Sequence, residues 1–158
     1  MAARIVWRIT SSRRARTAFS GDGARLYGGR WNPKGVPLVY VAESRALAML
    51  EMLVQDEPLA ARYVVIPAAL PEGLRIEQVD PRRLPADWRS PRRVEGTRGI
   101  GAAWAASRRT VALAVPSAVV PGDANYLLNP LHPDFKRIRV GRPSLLVTDI
   151  RLIEGLGN

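Results

Sequence analysis

Residues 27–51 read YGGRWNPKGVPLVYVAESRALAMLE, and this stretch decides the fold because it changes periodicity twice. Asn32-Pro33, Lys34-Gly35 and Pro37 are turn chemistry. Leu38–Ala42 is a short apolar run that reads as a strand. Tyr40 points to the face opposite Val39 and Val41, because successive side chains alternate across a strand. Ser44 is placed to cap a helix running to about Gln55. Turn, strand and helix within twenty-five residues point to a mixed architecture.

The flanks agree. Arg4–Thr10 alternates Ile5, Trp7 and Ile9 with Arg4, Val6 and Arg8, the period of a strand. Ser11–Gly29 reads as a loop. Arg62–Leu70 and Leu74–Val79 read as strands joined by the turn Pro71-Glu72-Gly73. The proline-bearing Asp80–Arg93 reads as irregular surface. Within Val94–Arg109 an alanine-rich helix is expected in the second half, near Ala102–Ser107. Thr110–Val115 is a buried-strand candidate, continued by Ser117–Pro121 after a proline break. Asn125–Pro133 reads as a loop, and Phe135–Val140 and Leu145–Ile150 as strands. Strands and helices do not alternate strictly, so an α+β fold is favoured over a doubly wound parallel sheet. The length suits one domain over residues 1–158.

Composition narrows the chemistry. There is no cysteine, which excludes disulfides and thiolate metal sites, and one histidine, His132, cannot build a histidine metal centre. The longest apolar run, Val111–Pro121, is far short of a membrane span and is broken by Pro116. No signal peptide is visible, and a cytoplasmic protein is expected. The formal charge of +10 rests on 22 arginines and 2 lysines. They are scattered, without the basic block of a nucleic-acid tail. An anionic small molecule or an acidic protein partner is the better match.

Few residues are candidates for chemistry. On a helical wheel, Leu47, Leu50, Leu53, Val54, Ala46, Met49 and Met52 cover most of the circumference of Ser44–Gln55. Ser44, Ala48, Glu51 and Gln55 form one narrow stripe. Two readings of that stripe stand: it faces water, or the helix is buried nearly all round and the stripe lines a cleft. A carboxylate in a cleft needs a cation or donors facing it. Arg30, after Gly28-Gly29, is the partner expected, directly or through a bound substrate. Glycines admit close backbone approach, and an arginine can pair bidentately with phosphate. The alternative is a surface arginine after a turn. Tyr40 either packs in a core or reaches a ligand. Ser117 is a turn serine or a site residue at a strand end, and Gly-x-Ser-x-Gly is absent. His132, between prolines, caps or packs, with substrate contact as the lesser reading.

Across these residues the chain resembles the RES-domain proteins, the toxin half of RES–Xre toxin–antitoxin pairs. The resemblance lies in Val6-Trp7-Arg8-Ile9, in Tyr27-Gly-Gly-Arg30-Trp31-Asn32 followed by Tyr40 and Glu51, and in Val115-Pro116-Ser117. It continues in Asn125-Tyr-Leu-Leu-Asn129-Pro-Leu-His132-Pro133 and Asp149-Ile-Arg151-Leu. It implies an ADP-ribosyltransferase-like fold with NAD as substrate rather than resident cofactor, and no metal. It also implies growth arrest through cleavage of the nicotinamide–ribose bond by hydrolysis or phosphorolysis. Transfer of ADP-ribose to a protein acceptor is the alternative with the same chemistry. The family's catalytic positions fall on Glu51, Arg30, Ser117 and Tyr40. Arg8, Tyr27, Arg30, Trp31, Tyr40, Asn129 and His132 are the implied NAD contacts. An Xre-like antitoxin is the implied partner, with a homodimer or a toxin–antitoxin assembly as the oligomeric forms. Rivals of other classes are a basic nucleic-acid-binding or RNase-like toxin, and an interaction module with a vestigial cleft.

Overall fold

The computed structural model describes residues 2–55, 62–149 and 151–152. Eight strands form one sheet: β1 (Arg4–Ser11), β2 (Val39–Ala42), β3 (Tyr63–Leu70), β4 (Ile76–Gln78), β5 (Ala112–Pro116), β6 (Ala124–Leu128), β7 (Arg139–Val140) and β8 (Ser144–Leu145). The order is β4-β5-β6-β2-β1-β3-β7, with β8 also on β3. All pairings are antiparallel except β4 with β5. Three α-helices that lie wholly among the described residues accompany it: α1 (Asp22–Tyr27), α2 (Arg45–Gln55) and α3 (Glu95–Ser107). The fold is α+β, as the sequence implies.

The sheet must curl. Leu70 and Ile76 are six residue steps apart, a reach of about 21 Å at full extension. In a flat sheet, five strand spacings would separate β3 from β4 by about 24 Å. The Leu74 amide also bonds the Pro71 carbonyl at 3.2 Å, which shortens that reach. Curling brings Leu70 and Leu74 into one core with Val6, Val39, Val41, Ala112, Tyr126 and Leu128. The opposite face of β5 and β6 presents Leu113, Val115 and Leu127 to Trp31, Trp88 and Trp104, beneath α3. Helix α2 packs Leu47 and Ala48 on Ala42, Trp7 and Ile9. The Ser44 hydroxyl caps it by accepting from the Leu47 amide at 3.0 Å.

Several expectations are corrected. The Pro71–Gly73 turn does not join a hairpin: β4 pairs with β5, in parallel. Ser11–Gly29 holds a 3₁₀ segment at Ser12–Thr17 and α1. Asn125–Pro133 is not a loop throughout, since β6 is an inner strand between β5 and β2. Ser117–Pro121 does not extend β5, because the Ser117 hydroxyl accepts from the Val119 and Val120 amides and turns the chain. The first half of Phe135–Val140 belongs to the 3₁₀ segment Pro133–Arg137, started by a proline after the His132 cap, and only Arg139–Val140 is strand. The last expected strand is reduced to β8, and Ile150 lies outside the described residues. Helix α2 is not buried nearly all round: Leu50 and Val54 are exposed.

Candidate active site

The site is built where the sheet splits. Strand β1 pairs with β3 along its whole length, and β2 with β6 along its own. Between them β1 and β2 share one rung, Trp7 with Ala42. Beyond that rung the strands part, and the Arg8 guanidinium bridges the gap by donating from Nη1 to the Tyr40 carbonyl at 2.9 Å. A cavity of about 770 Å³ opens there, lined by Arg8 to Arg14 on one side, Tyr40 to Ala42 on the other, and by Ala48, Glu51, Met52 and Gln55 of α2. That volume lies within the range of small-molecule sites. The α2 stripe therefore lines a cleft.

Glu51 is held in place by two side-chain donors. The Ser117 hydroxyl donates to Glu51 Oε1 at 2.7 Å, and Asn125 Nδ2 donates to the same oxygen at 2.7 Å. Ser117 is buried, and its proton is committed to Glu51 because its oxygen already accepts two backbone amides. No donor among the described residues reaches Oε2. One carboxylate oxygen is thus fixed and the other left for a ligand. Asn125 is the residue that reading the sequence missed as a site residue. Its signal was position: it lies across β6 from Tyr126, a core residue, so its side chain takes the α2 side.

Arg8 is the least exposed cation lining the cleft. Its Nε is buried with no hydrogen-bond partner among the described residues. Burial lowers the pKa of its guanidinium, and Arg14 lowers it further. A buried, partly unsatisfied cation beside a cavity is suited to an anion.

Tyr40 and Arg30 have other partners. The Tyr40 hydroxyl donates to Asn32 Oδ1 at 2.6 Å and accepts from the Trp31 amide at 3.0 Å, so its polar tip is engaged internally although the residue lines the cavity. Burial raises its pKa, against the backbone bond to Trp31 and the charges of Arg98 and Arg30. A Cβ on Gly29 would lie 2.6 Å from that hydroxyl, which is why glycine stands there. The Gly29 carbonyl accepts from Arg98 and the Arg30 carbonyl from Thr97, both on α3. The Arg30 guanidinium donates to the carbonyls of Trp88 at 2.5 Å and Ser90 at 3.2 Å. Burial lowers its pKa, and the charges of Glu51 and Tyr40 raise it. Arg30 thus shares the electrostatic neighbourhood of Glu51, but it does not line the cavity.

The remaining expected contacts lie elsewhere. Tyr27 is 69% exposed at the end of α1. Trp31 is buried against Trp88, ring centroids 6.2 Å apart. Asn129 is buried, donating to the Ala105 carbonyl and accepting from the Leu131 amide. His132 Nδ1 accepts from the Asp134 amide as a helix cap. None of these four lines the cavity.

A curled α+β sheet that splits at one rung, with a helix carboxylate fixed at the split, is consistent with the ADP-ribosyltransferase-like fold that the resemblance implies. The RES domain model matches residues 5–149, and the chain belongs to that family. It is 41% identical over 152 residues to Toxin Res of Photorhabdus laumondii, covering 90% of this chain and 97% of the relative. It is also 41% identical over 154 residues to the Prs ADP-ribosylating toxin of a Sphingobium species, covering 93% and 95%. The toxin in the crystal structure of the Mycobacterium tuberculosis MbcT–MbcA toxin–antitoxin complex superposes with a TM-score of 0.77 at 21% identity, over 98% of this chain and 88% of that one. A curated sequence named NAD(+) phosphorylase MbcT, from the same species, is 50% identical over 38 residues, 23% of this chain and 20% of the relative.

Proposed function

We propose that this chain is a toxin that cleaves the nicotinamide–ribose bond of NAD in the cleft between β1 and β2. The observation that carries the reading is the fixed carboxylate: Ser117 and Asn125 hold Glu51 Oε1 and leave Oε2 for the sugar. Breaking this bond builds oxocarbenium character on the ribose, and a carboxylate beside the ring stabilises it, as in glycoside hydrolysis. Nicotinamide leaves as a neutral ring, having been a cation in NAD, so the electron pair of the broken bond needs no proton and no strong acid. Arg8 takes the pyrophosphate, and the Tyr40 ring forms the wall against the nicotinamide side. Arg30 acts from behind this surface, fixing the Trp88–Ser90 backbone and placing positive charge near Glu51. Its engagement with carbonyls moves the phosphate-holding role to Arg8.

The sugar carbon can be taken by water, by phosphate or by a protein side chain. The likeness to a relative named as an ADP-ribosylating toxin supports the last of these, and the name phosphorylase supports the second. The family match from residue 5 to residue 149 supports one RES domain over the chain. The structural likeness to a toxin bound to its antitoxin supports an antitoxin partner, for which an Xre-like protein is our reading, acting in the cytoplasm. Among the described residues no helix is long and apolar enough to cross a membrane. The test is mass spectrometry of the products formed from NAD, with and without phosphate and with cell extract. Nicotinamide together with ADP-ribose, its 1-phosphate or a modified protein supports the proposal and names the acceptor. Intact NAD at high protein concentration refutes it.

A further inference from the structure

Among the described residues four arginines line the cavity, Arg8, Arg13, Arg14 and Arg62, against the carboxylate of Glu51. Arg8 and Glu51 serve the reaction proposed above. The other three have no role in it. They are exposed, and none of their guanidinium groups has an ion-pair or hydrogen-bond partner among the described residues. Six other surface arginines, Arg25, Arg82, Arg93, Arg109, Arg137 and Arg151, each face a carboxylate. Three cations around one cavity, without a carboxylate partner among the described residues, are a site for concentrated negative charge.

Their position says which charge. Ser11 pairs with Tyr63, and the Ser12 amide donates to the Arg62 carbonyl at 2.7 Å, so the 3₁₀ segment and Arg62 meet at one end of the β1–β3 ladder. That end is four residues along β1 from Trp7, whose rung marks the split beside Asn125. At ~3.3 Å per residue the separation is about 13 Å. Along β1 this wall lies beyond Arg8 from the Trp7 rung, beside which Asn125 holds Glu51. In a dinucleotide that place belongs to the adenosine half. Arginine forks suit a phosphomonoester, which carries about −1.5 to −2 charges at pH 7.

We propose that Arg13, Arg14 and Arg62 form a subsite for the 2′-phosphate of NADP, and that the protein consumes NADP in preference to NAD. This rests on the reading of the cleft as a dinucleotide site. The experiment is calorimetry on the intact chain with ADP-ribose, 2′-phospho-ADP-ribose and inorganic phosphate, alongside rates on NAD and NADP. The parent protein is expected to bind 2′-phospho-ADP-ribose roughly tenfold or more tightly than ADP-ribose. The triple variant Arg13→Ala, Arg14→Ala, Arg62→Ala should lose that preference with little change in ADP-ribose affinity or melting temperature. The kcat/KM ratio of NADP to NAD should fall in parallel. Equal affinity for the two ligands in the parent, or a preference that survives the triple variant, overturns the proposal. So does arginine-dependent binding of inorganic phosphate with no advantage for the 2′-phosphate, which would assign the wall to free phosphate. If ADP-ribose binds and NAD is cleaved without any NADP preference, only this inference falls. If neither ADP-ribose form binds and neither dinucleotide is cleaved, the dinucleotide reading falls with it.

Discussion

The chemistry proposed for Glu51 depends on how its carboxylate is aimed, because a rotating carboxylate would spread its charge over many positions and stabilise none. Ser117 and Asn125 prevent that rotation by bonding one oxygen. A hydrogen bond to a charged group contributes about 1.5–3 kcal/mol. Asn125→Ala and Ser117→Ala should therefore each lower kcat on NAD by about tenfold to a hundredfold, with little change in KM. A rise in KM at constant kcat would show that these groups bind substrate instead of aiming the acid. Tyr40 makes a prediction about stability. Burial raises its pKa above the ordinary tyrosine value of about 10, so folding favours the protonated hydroxyl. The stability this contributes is whole below about pH 10 and is lost as pH rises beyond it. Tyr40→Phe should melt earlier at neutral pH, by about 1–3 kcal/mol, because the Trp31 amide and Asn32 Oδ1 lose their partner. It should also lose less stability than the parent above pH 10, and identical alkaline profiles would contradict this. At this scale Glu51, Ser44 and the direction of Tyr40 were legible, because helix and strand periodicity fix where a side chain points. The engagement of Arg30 was not, since the carbonyls it bonds lie 58 and 60 residues away on an irregular segment whose path no local pattern specifies.

Elements were legible where period and propensity agreed, as in β1 and α2. They failed where tertiary contact overrode propensity. Helix α3 begins at Glu95, well before its alanine-rich half, because Gly96, Gly99 and Gly101 hid its start. Gly101 is required: a Cβ there would collide with the Trp31 carbonyl, so the glycine lets α3 press on the segment that carries Arg30. Gly99 is exposed and meets nothing within 4 Å. The two glycines should therefore behave oppositely. Gly101→Ala is expected to destabilise by about 1–3 kcal/mol through overpacking. Gly99→Ala should stabilise by about 0.5–1 kcal/mol through helix propensity. Thermal melting of the two variants checks the pair, and shifts of the same sign would refute the packing account. Strand β6 was hidden for a related reason. Asn125 and Asn129-Pro130 read as loop chemistry, yet Asn125 faces Glu51 and Asn129 is satisfied inside the protein by Ala105 and Leu131.

For the whole molecule, the decisive feature is that two neighbouring strands share one rung and then part. The curl of the sheet buries a continuous core on one side and leaves that split open on the other. Glu51, Ser117 and Asn125 come from α2, from the turn after β5 and from β6, so the site is complete only when the sheet has closed its order from β5 to β1. The formal charge of +10 gains a local meaning here, since four of the arginines line the cavity. The most direct measurement is the rate of nicotinamide release from NAD by the parent protein and by Glu51→Gln, which keeps the size of the side chain and removes its charge. Loss of turnover by about a thousandfold or more, with retained binding of ADP-ribose and an unchanged fold, is the predicted result. Release at the parental rate from a folded Glu51→Gln protein would contradict the account.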